Sequence, residues 1–293
     1  MFPTLLDIYR SPRRADCEER AFVLTAVGVP SLVDFDGMQY VLRVDAADAD
    51  VALAHLERYA LESRPPPPAP PPPPLHPFAW VGSAFYALTL LFVGYAVAGG
   101  FWRLDAFDLG ALDAARVQAG EWWRAWTALT LHVDSAHLAA NLGAGAWFGY
   151  LAGRRLGNGV AWLLVVIGAG LANLLEALLG PASHRAVGAS TAVFAMLGML
   201  AANSWRERFS YPQRWALRWA PLVAGVILLG WLGTEGEQTD VVAHLAGFVT
   251  GAGIGVATAQ PTVKRLLAQV RQWIAGLAAV AILAVAWICA LTS

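Results

Sequence analysis

The sequence predicts an α-helical membrane protein that crosses the bilayer several times and carries a small α+β domain at its N-terminus. The chain of 293 residues is 57% hydrophobic and only 14% charged, with a mean hydropathy of +0.51, which is not the composition of a water-soluble domain. Apolar segments of membrane-spanning length recur in its second part. A charged segment and a proline run precede them.

Residues 1–62 have the mixed pattern of a small cytoplasmic domain. LLDIYR, SLVDFD and QYVLRV read as strands, and helices are expected near 15–28 and 47–61, which gives the order βαββα. A linker follows at 63–77, and its proline run over 65–74 predicts an extended polyproline spacer. The domain shows no glycine loop that would cradle a phosphate and no metal-ligand spacing. A cytoplasmic partner or ligand of this domain stays open.

Seven membrane helices are predicted after the linker. A helix needs about 20 mainly apolar residues to span a bilayer. Six of the predicted helices form a core over 78–258, and residues 259–293 hold a second linker and an extra C-terminal helix. The predicted spans are 78–98, 135–152, 160–179, 190–204, 216–233, 241–258 and 273–291.

Basic residues predict the orientation, because short cytoplasmic connections retain Arg and Lys. The connections after the second, fourth and sixth helices are richer in them than the others, and GTEGEQTD after the fifth helix is acidic. We therefore expect a multi-pass protein of the cell inner membrane, with its N-terminus in the cytoplasm and its C-terminus outside. The basic residues are Arg154, Arg155, Arg206, Arg208, Arg214, Arg218, Lys264, Arg265 and Arg271.

Several partners and features are not expected. The formal net charge of −1 gives no basic excess for binding nucleic acid. Cys17 and Cys289 lie too far apart in the chain and in predicted environment to indicate a disulfide framework, and both read as inert thiols. The N-terminus lacks the pattern of a cleaved signal peptide.

Polar side chains at membrane depth are costly, so they mark candidate functional sites. His137 and Asn141 are spaced i, i+4 at the start of the second helix, Ser190 begins the fourth, and His244 lies one turn into the sixth. Each alone also has a structural reading, such as a serine hydroxyl bonded to its own helix backbone. The predicted orientation places all four at the outer face, where they can form one site.

A glycine repeat follows His244. Gly247, Gly251 and Gly255 recur every fourth residue, and such a ridge of small residues lets two membrane helices approach closely. If the ridge faces the fourth helix, His244 can reach the Ser190 hydroxyl at about 2.6 to 3.2 Å, the range for proton transfer. The pattern therefore favours a serine nucleophile with a histidine base, although such a repeat by itself indicates only packing.

These segments resemble the rhomboid family of intramembrane serine proteases in order, spacing and topology. The resemblance covers about 78–258, and the seventh helix resembles the six-plus-one form of the family. It rests on H-x-x-x-x-H-x-x-x-N (His132, His137, Asn141), on GASTAVFAMLG at 188–198, on A-H-x-x-G-x-x-x-G at 243–251, and on the pair Trp123 and Arg124.

The resemblance implies a Ser190/His244 dyad without a third acid, cofactor or metal, acting on transmembrane segments of other proteins. It further implies that His137 and Asn141 stabilise the oxyanion and that Gly188 leaves room for the substrate backbone. One position departs from the family pattern, because Thr191 replaces the second glycine of G-x-S-G. Its bulk is expected to narrow the pocket, to favour smaller substrate side chains, or to weaken the protease.

Two other functions stay open at this level. The first is an inactive rhomboid-like protein that binds membrane clients. The second is a transporter or metal-handling protein that uses His132, His137 and His244, although no inward carboxylate cluster on neighbouring helices supports it.

The surroundings of the site give further expectations. An apolar fourth helix of only 190–202 would leave Ser190 below the membrane surface in a polar cavity. The outer loop 99–131 would insert its tryptophans at the interface as a wedge or an anchor, and His132 would brace that loop. Three polar residues are not expected in the site: Glu176, which takes a structural pairing, and His184 and Arg185, which are solvated.

Overall fold

The structure, a computed structural model, describes residues 4–63, 75–99, 105–209, 214–233 and 240–293. The chain divides into two compact units, Met1–Ala69 and Pro70–Ser293. The proline run predicted as a spacer lies outside the described residues.

The first unit has the predicted βαββα order. Its three strands form one antiparallel sheet in the order β1-β3-β2, and its core is built from fully buried side chains that include Leu24, Leu42 and Ala52. Cys17 is also fully buried, and burial raises the pKa of its thiol, which is typical of an unreactive cysteine. The elements are β1 Leu5–Ser11, α1 Arg14–Ala26, β2 Ser31–Phe35, β3 Tyr40–Asp45 and α2 Ala49–Glu62.

The second unit is helical, and its long helices match the predicted spans closely. Between the first two long helices the chain forms short elements, and a two-residue strand there pairs with another just before the fourth long helix. The elements are α3 Ala79–Ala98, α4 Ala106–Gly110, β4 Leu112–Asp113, α5 Ala114–Gln118, α6 Arg124–Thr127, α7 Ser135–Leu156, α8 Asn158–Leu179, β5 Arg185–Ala186, α9 Ser190–Arg208, α10 Trp215–Gly233, α11 Val241–Thr258, α12 Pro261–Ala268 and α13 Gln272–Thr292.

Five helices of the described residues are long and apolar enough to cross a membrane by length and composition, namely α3, α8, α10, α11 and α13. The other two long helices, α7 and α9, carry His137, Asn141 and Ser190. These three polar side chains of the candidate site therefore lie on the less apolar long helices, whereas His244 lies on the apolar α11.

The fourth long helix is longer than its predicted span. The sequence predicts a span of 190–204 with an apolar part of only 190–202, but α9 has 19 residues and ends at Arg208, a length of about 28 Å at 1.5 Å per residue. Its last turn is stabilised by ion pairs from Glu207 to Arg155, at 3.3 Å, and to Lys264. The prediction of a short fourth helix was therefore wrong, because charged residues continue it beyond the apolar segment.

Helix α9 lies at the centre of this unit and packs most closely on α11. A Cβ atom added to Gly247, Gly251 or Gly255 would lie 2.4, 1.9 or 2.4 Å from a backbone carbonyl oxygen of α9. The three oxygens belong to Thr191, Ala195 and Met199. Only glycine permits this approach, so the repeat sets the distance between the two helices that carry Ser190 and His244.

Candidate active site

A tight turn precedes α9. Gly188 has a φ of +136°, a backbone conformation that residues with a Cβ rarely adopt. Its N–H donates to the Ala128 carbonyl at 2.9 Å. An added Cβ would lie 2.7 Å from His137 Cε1 and 3.6 Å from Ser190 Oγ. Because Gly188 has no side chain, a space remains open beside it. The His137 ring and the Ser190 hydroxyl border this space.

Ser190 is the first residue of α9 and is half-buried. No side chain caps this helix. The N–H groups of a first turn have no partner within their own helix, and they carry the positive end of the helix dipole. The Ser190 hydroxyl is therefore next to backbone donors that suit a developing negative charge.

His244 is buried in α11 with one ring nitrogen bonded. Its Nδ1 lies 2.9 Å from the carbonyl oxygen of Gly233, the last residue of α10. A carbonyl oxygen can only accept, so we assign the proton to Nδ1, which leaves Nε2 as the unprotonated nitrogen. The ring also packs on Phe194 with centroids 4.4 Å apart. His244 is thus held by two contacts in the tautomer whose Nε2 can accept a proton.

Ser190 and His244 lie on α9 and α11, two helices that pack closely against each other. Phe194 lies four residues after Ser190 and so on the same helix face, and this is the residue that the His244 ring contacts. The carbonyl oxygen of Thr191, one residue after the serine, would lie 2.4 Å from a Cβ atom added to Gly247. Among the described residues no hydrogen bond joins Ser190 Oγ to the imidazole. Catalytic hydrogen bonds are often long without substrate and tighten when it binds.

His137 and Asn141 differ in what they offer the site. The His137 ring lies against Gly188, and its Nδ1 is buried without a hydrogen-bond partner among the described residues. Asn141 is buried, and its Nδ2 donates to the backbone carbonyl of His137 at 3.1 Å. The backbone carbonyl of Asn141 accepts from the Tyr86 hydroxyl at 2.8 Å. His137 is therefore next to the serine, whereas the Asn141 amide bonds to its own helix.

His132 braces the turn that carries the serine. Its Nε2 accepts from the Ala189 N–H at 3.4 Å, and its ring centroid lies 5.1 Å from that of His137. Burial, with a smaller contribution from His137, lowers the pKa of His132 to about 4. It is therefore neutral near pH 7 and can accept this bond.

This shift predicts a pH dependence of stability. The pKa of His132 is about 4 in the folded chain and near 6.5 in an unfolded one. The unfolded state therefore takes up the proton first, and the free energy of unfolding should fall as the pH drops from about 6.5 to 4. Over this pH range we expect the melting temperature of the wild type to fall more than that of His132→Gln. Parallel curves for the two proteins would contradict a buried neutral His132.

Part of the segment between α3 and α7, residues 121–128, is anchored in the protein. Arg124 is almost fully buried and pairs with Glu121 at 2.6 Å. Trp126 donates from Nε1 to the Val166 carbonyl at 3.1 Å. Of the predicted interfacial tryptophans, Trp122 is exposed, and Trp102 lies outside the described residues. This loop positions the Ala128 carbonyl that holds Gly188.

The structure also assembles a cluster that the sequence does not predict. Glu176 is buried near the end of α8, and His184 Nε2 lies 3.6 Å from its Oε1 and 3.2 Å from Asp240 Oδ2. The prediction of a solvated His184 was wrong, because the side chain packs between two carboxylates. Arg185, by contrast, is exposed and pairs with Asp113 at 2.7 Å. A glutamate within an apolar helix was the signal in the sequence.

Comparison with known proteins finds a match for the segment that holds these residues. Residues 119–261 match the model of the rhomboid domain, and the match includes the turn at Gly188, Ser190, His137, Asn141 and His244. Over this segment, just under half of its length, the chain is similar to the rhomboid domain. The βαββα unit lies outside the matched residues.

Two curated rhomboid relatives resemble this chain. Rhomboid protease GluP of Bacillus subtilis (strain 168) is 29% identical over 186 residues, which cover 62% of this chain and 36% of the relative. Rhomboid-like protease 2 of Toxoplasma gondii is 28% identical over 160 residues, 50% of this chain and 51% of the relative. The chain thus spans about half or less of the length of the relatives it matches.

Proposed function

We propose that this chain is a member of the rhomboid family and an intramembrane serine endopeptidase that hydrolyses peptide bonds in or near transmembrane segments. The observation that carries the proposal is the arrangement of His244. Its Nδ1–H is held by Gly233, so that Nε2 can accept a proton, and its ring packs on the helix that begins with Ser190. A fixed tautomer beside a serine at a helix N-terminus is what a Ser/His dyad requires.

The chemistry follows from these positions. Ser190 Oγ attacks the substrate carbonyl carbon and gives its proton to His244 Nε2. The oxyanion that forms accepts from backbone N–H groups at the start of α9 and from His137, and donors of this kind contribute about 2.7 to 4 kcal/mol each. His244 then protonates the leaving amine, and the acyl-serine remains. A water molecule that His244 deprotonates hydrolyses it and regenerates both groups.

The role of Asn141 in this scheme requires a rotation. Its Nδ2 donates to the His137 carbonyl, and a turn about its side-chain bonds would direct the amide towards the oxyanion. We propose that Asn141 supplies this donor when the substrate is bound.

The substrate must unwind before it is cut. A transmembrane helix satisfies its backbone groups internally, and its carbonyl carbons are shielded within the turns. We infer that helix-weakening residues near the cleaved bond favour hydrolysis. We also propose that the site opens on the outer side of the inner membrane, because the basic connections mark the opposite side as cytoplasmic. The βαββα unit would then meet its partner or ligand in the cytoplasm.

Mapping of a covalent label tests the dyad directly. The purified full-length protein in detergent is incubated with a serine-directed fluorophosphonate, and in parallel with a single-span membrane substrate. We expect cleavage of the substrate and one labelled site, which peptide mass spectrometry assigns to Ser190. Heat-denatured protein, the control, should not react. Absence of both labelling and cleavage would favour the alternative, an inactive rhomboid-like protein that binds clients.

A further inference from the structure

Glu176, His184 and Asp240 form a three-residue cluster outside the proposed dyad. They come from α8, from the loop before β5, and from the residue that caps α11. One ligand atom from each lies within 4.8 Å of the other two. We propose that this cluster binds a divalent transition-metal ion of the Zn²⁺ class, although the sequence predicts no metal. The proposal does not depend on protease activity.

The spacing of the donor atoms suits a shared metal ion. Zinc binds imidazole nitrogen and carboxylate oxygen at about 2.0 to 2.2 Å in tetrahedral geometry, which places the donors about 3.4 Å from one another. His184 Nε2 lies 3.2 Å from Asp240 Oδ2 and 3.6 Å from Glu176 Oε1. Two of the three separations are therefore close to the spacing that a shared ion requires, and the ligand atoms of Glu176 and Asp240 lie within 4.8 Å of each other.

One polar atom on each of the three side chains also lacks a hydrogen-bond partner among the described residues. Glu176 is 9% exposed, and its Oε2 is buried without a hydrogen bond among the described residues. The same holds for His184 Nε2 and Asp240 Oδ2. Buried polar atoms in native proteins are nearly always paired, with protein, water or an ion. One such atom on each of three neighbouring side chains indicates a ligand common to the cluster.

The charges of the two carboxylates also favour a bound cation. In the described part of the chain, neither Glu176 nor Asp240 pairs with a lysine or an arginine, and the nearby Arg185 is engaged by Asp113. Two carboxylates at this distance in a largely buried position repel each other unless a cation or a proton lies between them. A divalent ion would neutralise both.

The surroundings provide access and indicate the class of metal. The cluster lines a pocket of about 450 Å³ whose other walls are mainly apolar, including Leu179, Pro181 and Val242. One imidazole among three protein donors favours Zn²⁺ or a similar transition ion over Mg²⁺ and Ca²⁺, which prefer oxygen ligands. Three protein ligands also leave a fourth position for water.

Such an ion would join two segments that lead to the dyad. His184 lies six residues before Ser190, and Asp240 caps α11 by accepting from the Ala243 N–H at 3.0 Å, one turn before His244. Metal bound here would fix the start of both helices relative to α8. The structure thus assigns the site a positioning role as well.

Equilibrium dialysis tests the site. Full-length protein in detergent, stripped with EDTA, is dialysed separately against Zn²⁺, Mn²⁺, Mg²⁺ and Ca²⁺, and bound metal is measured by mass spectrometry. We expect wild type to retain Zn²⁺ at this site and to melt at a higher temperature with it. Binding should weaken at least tenfold in Glu176→Gln and in Asp240→Asn, which preserve side-chain shape, but not in His76→Gln, an exposed histidine.

Melting curves in EDTA distinguish lost metal from lost fold. Because Glu176→Gln removes a charge that Asp240 repels, this variant should melt no lower than wild type without metal, yet gain nothing from Zn²⁺. Unchanged Zn²⁺ binding by both carboxylate variants would overturn the proposal, since the ion would then sit elsewhere. No Zn²⁺ binding by wild type, or a preference for Mg²⁺ or Ca²⁺, would overturn it as well.

Discussion

Replacing Ser190 with alanine is expected to reduce substrate cleavage by at least about 10³-fold, into the background of the assay. Loss of the nucleophile from a catalytic triad removes nearly all of the rate that the residues of the triad supply together. The Ser190→Ala change deletes only a hydroxyl that is half-buried and makes no hydrogen bond among the described residues. The protein should therefore fold and melt like wild type. Cleavage is measured on a single-span substrate in detergent and in vesicles.

A matched control exists on α3. The Ser83 hydroxyl is also within the helical unit, where it donates to the Ala146 carbonyl on α7 at 2.8 Å. Ser83→Ala should lower stability by about 0.6 kcal/mol, the mean for such bonds between membrane helices, and leave cleavage within a few-fold of wild type. Equal cleavage by wild type and Ser190→Ala would exclude Ser190 as the nucleophile.

Replacing Gly251 with alanine is expected to destabilise the protein by about 1 to 3 kcal/mol or more, the usual cost of overpacking. The new Cβ would lie 1.9 Å from the Ala195 carbonyl oxygen. Because that atom belongs to the backbone of α9, the two helices must separate. Their separation would also move His244 away from Ser190, so cleavage should fall with stability. Both are measured on the same purified sample, by thermal unfolding and by substrate cleavage.

Gly253, also on α11, provides the control for Gly251. A Cβ added to Gly253, two residues further on, would meet nothing within 4 Å. Gly253→Ala should raise stability by up to about 1 kcal/mol, since alanine favours a helix interior over glycine. If both variants lowered the melting temperature alike, close contact between α9 and α11 would not be the reason for the glycine at 251.

The role of Thr191 depends on where its side chain lies in the folded protein. The sequence predicts that its bulk narrows the pocket or weakens the enzyme. In the structure Thr191 is buried, and its methyl group Cγ2 lies 3.2 Å from the position that a Gly247 Cβ would take. Its bulk is therefore directed towards the ridge of α11. We expect Thr191 to act first on helix packing, a role that sequence spacing does not reveal.

The sequence by itself determined the seven long helices, the βαββα order and the short set of candidate polar residues, because hydropathy, helical period and the cost of polar groups in lipid are local properties of a chain. Only the tertiary structure decided which backbone carbonyl holds His244, where the Asn141 amide points, and that Glu176, His184 and Asp240 meet. Each of these contacts joins atoms whose separation depends on how helices pack and where they end. The extension of α9 to Arg208 has the same origin, since Glu207 finds its partners on two other helices.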